Sequence, residues 1–467
     1  MKFWPLIIVV LLGLFLRAYQ PLERFIYAHD SDLASWMIKD MLVDGHLRLI
    51  GQQTSESGIF IGPLFYYLLT PFYLLNNFDP AFSLLYSWII GILSIFSLYY
   101  VVIKIHGKKP ALISALIYAV SFAIVYTERE VVPTTPVMLW TIWAYYAINR
   151  QKIYLIAVLL ALVWHINLAL VLLAPIFLIS VFRKLNFTNI IKSIIIFLLI
   201  STPLIFFEFR HNFQQSKALI GSLTSAESKS SPNYLHTLTY ASKNLNKIFY
   251  YENHWPQFIL LIILILAAGL LTVTKKVSNY FFILVVFWQL LFIMFFSLHT
   301  INLSEYYLNG MNIIWIIIAG LLLSHLPSLI LLPLILVFMY SNIELLLIQQ
   351  VNKVGYIQKK LLVSFIKSDA QENNYPCVSV SYMTNPGYEL GYRYFFYLSG
   401  LHVNQPKSGS PVYTIVFPHS RANKIDESFG ALGLIKPDYS KYTEKEVKLT
   451  CAGQNSNLTD PMFGFTK

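Results

Sequence analysis

Apolar runs separated by short polar punctuation dominate this chain. Runs at 3–16, 81–103, 110–126, 134–149, 187–207, 257–274, 278–298, 307–324 and 327–348 read as helices that cross a hydrocarbon layer. The run 153–182 is longer and is interrupted by Trp164-His165-Ile166-Asn167. Basic residues at both of its ends predict two short helices turning at His165. The pattern therefore predicts an all-α polytopic membrane bundle of about eleven transmembrane helices. Between the first two runs, the loop 21–80 is polar at first and then carries a short apolar stretch, 63–75, broken by Pro71. That stretch is too short to span and predicts an interfacial or re-entrant helix. Residues 350–467 read differently. Their β-favouring runs, 377–383 and 411–417, and the turn signal Asn385-Pro386-Gly387 predict a small α+β domain. The expected division is a membrane domain over 1–349 and a water-soluble domain over 350–467.

Only 12% of the 467 residues are charged, against 56% hydrophobic, whereas a water-soluble chain carries about 25% charged residues. Lipid must be the solvent for much of it, which excludes a cytosolic enzyme, a secreted disulfide scaffold and a disordered tail. The formal charge of +11 does not mark nucleic acid as a partner. The Lys/Arg clusters lie between apolar runs, as cytoplasmic loops do, and no basic aromatic stripe accompanies them. Lys2 precedes the first run and no small-residue cleavage site follows it, so that run reads as an uncleaved helix with a cytoplasmic N-terminus. Alternation then leaves residues 350–467 extracytoplasmic. The short first helix and compact loops suit a prokaryotic plasma membrane. Cys377 and Cys451 are the only cysteines, and a disulfide and a reduced pair are both open.

Acidic residues test this topology, which was drawn from the basic ones. Before residue 350 they are Glu23, Asp30, Asp32, Asp40, Asp44, Glu56, Asp79, Glu128, Glu130, Glu208, Glu227, Glu252, Glu305 and Glu344, and all fall on the outer side. The outer loops are longer, which accounts for part of this. Carboxylates gathered on one face also point to chemistry there. Asp30, directly after the first helix in Tyr27-Ala28-His29-Asp30-Ser31-Asp32, stands at a water–lipid boundary, where partial desolvation makes a carboxylate a better general base. Asp32 reads either as its partner or, with Ser31, as the cap of a helix over 33–43. The Asp-x-Asp spacing also suits a divalent cation.

Asp30, Lys39-Asp40, Leu49-Ile50-Gly51-Gln52-Gln53-Thr54-Ser55 and Gly62-Pro63-Leu64-Phe65-Tyr66-Tyr67 together resemble the first outer loop of family 39-like GT-C glycosyltransferases. These are relatives of protein O-mannosyltransferases and of the lipid A aminoarabinose transferase. The resemblance covers roughly residues 1–215 and implies inverting transfer of a sugar from a polyprenyl-phosphate donor to a protein, lipid or glycan acceptor, with Asp30 as catalytic base. Where many members carry Asp-Glu, this chain carries Asp30-Ser31. In that chemistry Arg129 and Arg210 are suited to the departing phosphate, because a guanidinium bonds phosphate oxygens bidentately, and Lys39 and His211 are further candidates. Glu208-Phe209-Arg210-His211 resembles a segment common among bacterial members, and it also suits an interfacial belt. Glu128-Arg129-Glu130 reads equally as a solvated turn with an internal ion pair. His165 is either an intramembrane functional group or a neutral cap, with Asn167, for a helix break. Glu305 and Tyr306 are either sugar contacts or an interface anchor.

Two rivals remain open. A flippase or transporter predicts ionisable groups deep in the spans and internal repeats; only His165 meets that description. A glycan polymerase or ligase also places charged groups in outer loops, but the Asp30 segment directly after the first helix favours the GT-C reading. Nucleotide-binding glycine loops, Walker motifs and His-x-x-His pairs are missing from the sequence, in agreement with a lipid-linked donor.

Overall fold

The computed structural model describes residues 4–54, 56–224, 233–250, 258–298, 303, 305–349, 351, 353–405 and 407–452. Glu227 and Glu252 lie outside the described residues, as does the side chain of Glu305.

Every apolar run is helical. The first gives α1 (Trp4–Ala18). The loop that follows carries α2 (His29–Leu42) and α3 (Leu64–Leu74), the latter with Pro71 inside it. Then come α4 (Ser83–His106), α5 (Lys108–Val120), α6 (Phe122–Thr127), α7 (Val137–Arg150), α8 (Ile153–Ile166) and α9 (Ala174–Val181). The series continues with α10 (Phe187–Ile200), α11 (Thr202–Arg210), α12 (Gln214–Thr224) and α13 (Tyr234–Phe249). It ends with α14 (Ile259–Val273), α15 (Asn279–Leu298), α16 (Asn312–Ser324) and α17 (Ser328–Ile348).

These apolar helices make the chain a multi-pass membrane protein. Among the described residues, Pro80–His106, Asn279–Leu298, Tyr306–Ser324 and Ser328–Ile348 are long and apolar enough to cross, and α10 with α11 makes a fifth if that bent pair is one span. This is fewer than the eleven helices expected, two of which were expected to be short, and polar and proline positions divide three of the runs. Ser121 separates α5 from α6. Asn167 is extended and ends α8, its side chain accepting from the Ala169 N–H at 3.0 Å, and a 3₁₀ turn follows. At Ser201-Thr202-Pro203 the proline lacks the N–H that would continue the ladder, and α10 and α11 diverge by 70°.

Past residue 350, α18 (Tyr356–Glu372), α19 (Arg393–Ser399) and α20 (Glu444–Thr450) accompany a five-stranded mixed sheet. Its strands are β1 (Cys377–Thr384), β2 (His402–Asn404), β3 (Val412–Phe417), β4 (Glu427–Phe429) and β5 (Leu432–Ile435), in the order β2-β1-β3-β5-β4. β1 is parallel to both neighbours and β5 is antiparallel to both of its own. Cys377 at the head of β1 is joined to Cys451 after α20 by a disulfide.

Two large apolar cores organise the described residues, beside a small cluster of Ile50, Phe60, Leu204 and Phe207. One runs through the bundle, from Leu16 and Ile95 to Trp288 and Ile316. The other joins the first-loop helices to the sheet: Phe25, Tyr27, Met37 and Tyr66 share it with Leu362, Val380, Tyr394 and Tyr413. The first-loop helices are thus packed into the C-terminal α+β unit.

Candidate active site

The helix expected to open at Ser31 or Asp32 starts earlier, at His29. Its capping residue, Ala28, has no side-chain bond to offer, so Asp30 and Asp32 both fall in the first turn, where carboxylates suit the positive end of the helix dipole. Residues two apart on a helix do not share a face, and here they meet different surroundings. Asp32 is 1% exposed and accepts from the Tyr394 backbone N–H at 3.2 Å and the Tyr27 hydroxyl at 3.3 Å. It belongs to the contact with the C-terminal unit. Among the described residues, no three His, Cys, Asp or Glu side chains gather as a metal site requires.

Asp30 is half-buried and accepts from Gln52 Nε2 at 3.2 Å. Gln52 is presented by a short hairpin in which the Gly51 N–H donates to Ile61 O at 2.7 Å and the Ile61 N–H to Gln52 O at 3.0 Å. Tyr66 of α3 fixes the amide by donating to Gln52 Oε1 at 3.1 Å while accepting from the Gln52 N–H at 3.0 Å. The ring fits because residue 51 is glycine: a Cβ there would lie 2.3 Å from Tyr66 Cε2. Burial raises the Asp30 carboxyl above its ordinary range, against the lowering pull of His29 and the Gln52 bond. Glu130, also half-buried, is pushed up to about 7 by burial and by the Asp30 charge. A carboxyl that keeps its proton up to about neutrality suits proton transfer.

The other members of the Glu128–Glu130 turn have different partners. Glu128 accepts from Arg17 Nε at 2.6 Å and from the Tyr118 hydroxyl at 2.7 Å, deep in the bundle. The expected internal ion pair is therefore replaced by a link to α1. Arg129 is 3% exposed, and its Nη2 donates to Leu16 O at 2.9 Å. Its Nε and Nη1 are buried without a hydrogen-bond partner. Burial, then Arg24 and Arg17, lower its pKa to about 10.

Arg210 and His211, at the end of α11, line an open cavity of about 350 Å³ with Asp40, His46, Arg48, Leu49 and Phe207. The His211 ring stacks on Phe207 at 4.1 Å between centroids. Arg48 Nη1 donates to Asp40 Oδ2 at 3.0 Å, and the half-exposed His46 ring meets Asp40 Oδ1 at 2.8 Å. With Arg48 paired to Asp40, Arg210 is the cation of this lining whose charge no lining carboxylate takes up. It adjoins the Asp30 centre through the chain itself: Leu49 and Ile50 of its lining lead into Gln52, which donates to Asp30. Arg129 is not among its lining residues.

The remaining expected residues have structural partners. Lys39 pairs with Asp44 at 2.7 Å and lies over the Tyr397 ring, so a neighbour five positions on takes up its charge. Glu208 accepts from the backbone N–H groups of Gln215 and Ser216, both at 3.1 Å, at the start of α12. His165 does not cap the break at Asn167; its Nε2 donates to Ile200 O at 3.2 Å, where α10 bends into α11. The Tyr306 ring lies 4.3 Å from that of Tyr307, tilted by 48°, and its carbonyl accepts from Asn167 Nδ2 at 3.2 Å. Gln52, Tyr66, Arg48 and His46 were not singled out individually as site residues. The first two lie in the first-loop pieces that carry the family resemblance.

No protein-family model matches the chain, and no curated protein does. Solved structures do match. The crystal structure of ArnT from Cupriavidus metallidurans bound to undecaprenyl phosphate superposes with a TM-score of 0.60 at 10% identity, over 93% of this chain and 98% of that one. The same protein in its apo state gives 0.58 at 10% identity, over 94% and 98%. The chain therefore has the fold of ArnT, the GT-C fold that the first-loop resemblance implies.

Proposed function

We propose that this protein is an inverting glycosyltransferase that moves a sugar from a polyprenyl-phosphate donor to an acceptor on the outer face of a cell membrane. The observation that supports this reading most is the half-buried Asp30 carboxylate just after the first helix, held by Gln52 and, through it, by Tyr66. The setting is the fold of ArnT, a protein whose crystal structure holds undecaprenyl phosphate.

In this reading the acceptor hydroxyl oxygen attacks the anomeric carbon and passes its proton to the Asp30 carboxylate. The bond from that carbon to the phosphate oxygen breaks, and the lipid phosphate leaves with the electron pair. Gln52 and Tyr66 hold the carboxylate in place. Arg210 and His211, with Arg48 and His46, receive the phosphate, as charge developing on a leaving group requires. Arg129, buried in the turn after α6 and held to Leu16 O, contributes positive potential rather than a direct grip.

The test is transfer of radiolabelled sugar from its polyprenyl phosphate in vesicles, with and without chelator. Asp30→Asn is expected to lower the rate by a factor of about 100 to 10,000, the range for losing a general base, while donor binding persists. A variant that transfers sugar at the normal rate would rule this mechanism out.

A further inference from the structure

The approach to α2 is held from behind by residues of the C-terminal unit. The Tyr356 N–H donates to Phe25 O at 3.5 Å. Lys359 Nζ, on the next turn of α18, donates to Tyr27 O at 3.1 Å and to Leu390 O at 3.0 Å, and lies over the Tyr392 ring. The Tyr394 N–H reaches Asp32. Gly391, at φ +87°, presses directly on this segment: a Cβ there would lie 2.5 Å from Lys359 Nζ and 3.3 Å from the Ala28 carbonyl carbon.

These contacts take the place of a missing device. The first turn of a helix leaves N–H groups that a capping side chain normally meets, but Ala28 supplies no side-chain bond. The start of α2 is therefore set by tertiary contacts on its Asp32 face. A helical turn is stiff, so whatever fixes Asp32 also fixes Asp30 on the other face. Lys359 and Asp32 are 5% and 1% exposed, so neither is available to a substrate.

We propose that the C-terminal unit positions the Asp30 carboxylate, with Lys359 as its principal positioning residue and Gly391 providing the close approach. This rests on the reading of Asp30 as the base. It makes residues 356–394 part of the catalytic apparatus without touching the reacting atoms.

The experiment uses the full chain and two substitutions, Lys359→Met and Gly391→Ala, the second covering the case in which the first does not fold. In each, kcat is expected to fall at least about tenfold with KM within about twofold, since a displacement of about 1 Å at a reacting group is worth up to about 100-fold. In parallel, each substitution is combined with Asp30→Cys and labelled with a membrane-impermeant maleimide; the native cysteines are bonded to each other. Labelling at position 30 is expected to quicken about tenfold as the helix start loosens. Unchanged labelling with unchanged kcat overturns the proposal, as does a change confined to KM. Failure of the wild type to transfer sugar would sink the enzyme reading alone, because the labelling ratio still decides the positioning role.

Discussion

Burial, together with the Asp30 charge, lifts the carboxyl of Glu130 to about 7, although the two residues come from separate loops of the chain. Between the ordinary glutamate value of 4.5 and that value, the folded protein keeps a proton that the unfolded chain has lost. Stability therefore falls as pH rises through this window and levels off above it. Glu130→Gln removes the titrating group, so the stability of that variant should lose this slope. Activity gives the second readout. Below about pH 7 Glu130 is neutral, and above it the added negative charge opposes the departing phosphate. The wild-type kcat/KM profile should turn down near pH 7, and Glu130→Gln should be flat there while keeping its acid limb. Identical profiles for the two proteins would remove Glu130 from the site.

Arg210 and Lys39 separate two kinds of cation. Arg210 is exposed at the end of α11 and lines the cavity, whereas Lys39 is tied to Asp44 at 2.7 Å. A charged hydrogen bond to phosphate is worth about 1.5–3 kcal/mol, so Arg210→Ala should raise the KM for the polyprenyl-phosphate donor by roughly 10- to 100-fold. Lys39→Ala should leave it within about twofold, as an exposed ion pair contributes little. Titrating donor in the vesicle assay checks both, and equal effects would count against the cavity as the phosphate site.

The sequence shows what periodicity and composition can show. Apolar runs marked the apolar helices of the bundle but not the polar α12 and α13, of which α13 packs Ala241, Leu245 and Ile248 into the bundle core. The β-favouring runs marked β1 and β3, and the position of Asp30 just beyond α1 marked the first loop. Breaks within runs were harder to read. A Ser201-Thr202-Pro203 step costs an isolated helix one bond, but the 70° turn it produces depends on what packs beside it. Partners distant in sequence were harder still. Nothing near Glu128 announces that Arg17 will take its charge and dissolve the expected Glu128-Arg129-Glu130 ion pair. Nor does the Asp-x-Asp spacing reveal that a helix beginning at His29 sends Asp30 and Asp32 to different neighbours. A carboxylate's role is set by those neighbours.

Gly62 and His165 give a last test, of how the cavity wall is held. The Gly62 N–H donates to Trp164 O at 2.8 Å, and a Cβ at Gly62 would lie 2.0 Å from His165 Nδ1. No rotation of the methyl relieves that overlap, so Gly62→Ala must move the ring, whose other nitrogen holds Ile200 O at the α10–α11 bend. Overpacking of this kind costs about 1–3 kcal/mol. Because α11 carries Arg210, donor KM should rise along with the loss of stability. His165→Ala clears the overlap but abandons the Ile200 carbonyl. The double variant should therefore be no less stable than His165→Ala alone, giving a coupling of more than about 0.5 kcal/mol between the two positions. Thermal unfolding of the four proteins in one detergent measures it. Additive losses would show that the glycine is not there for the histidine, and that the bend is held by something else.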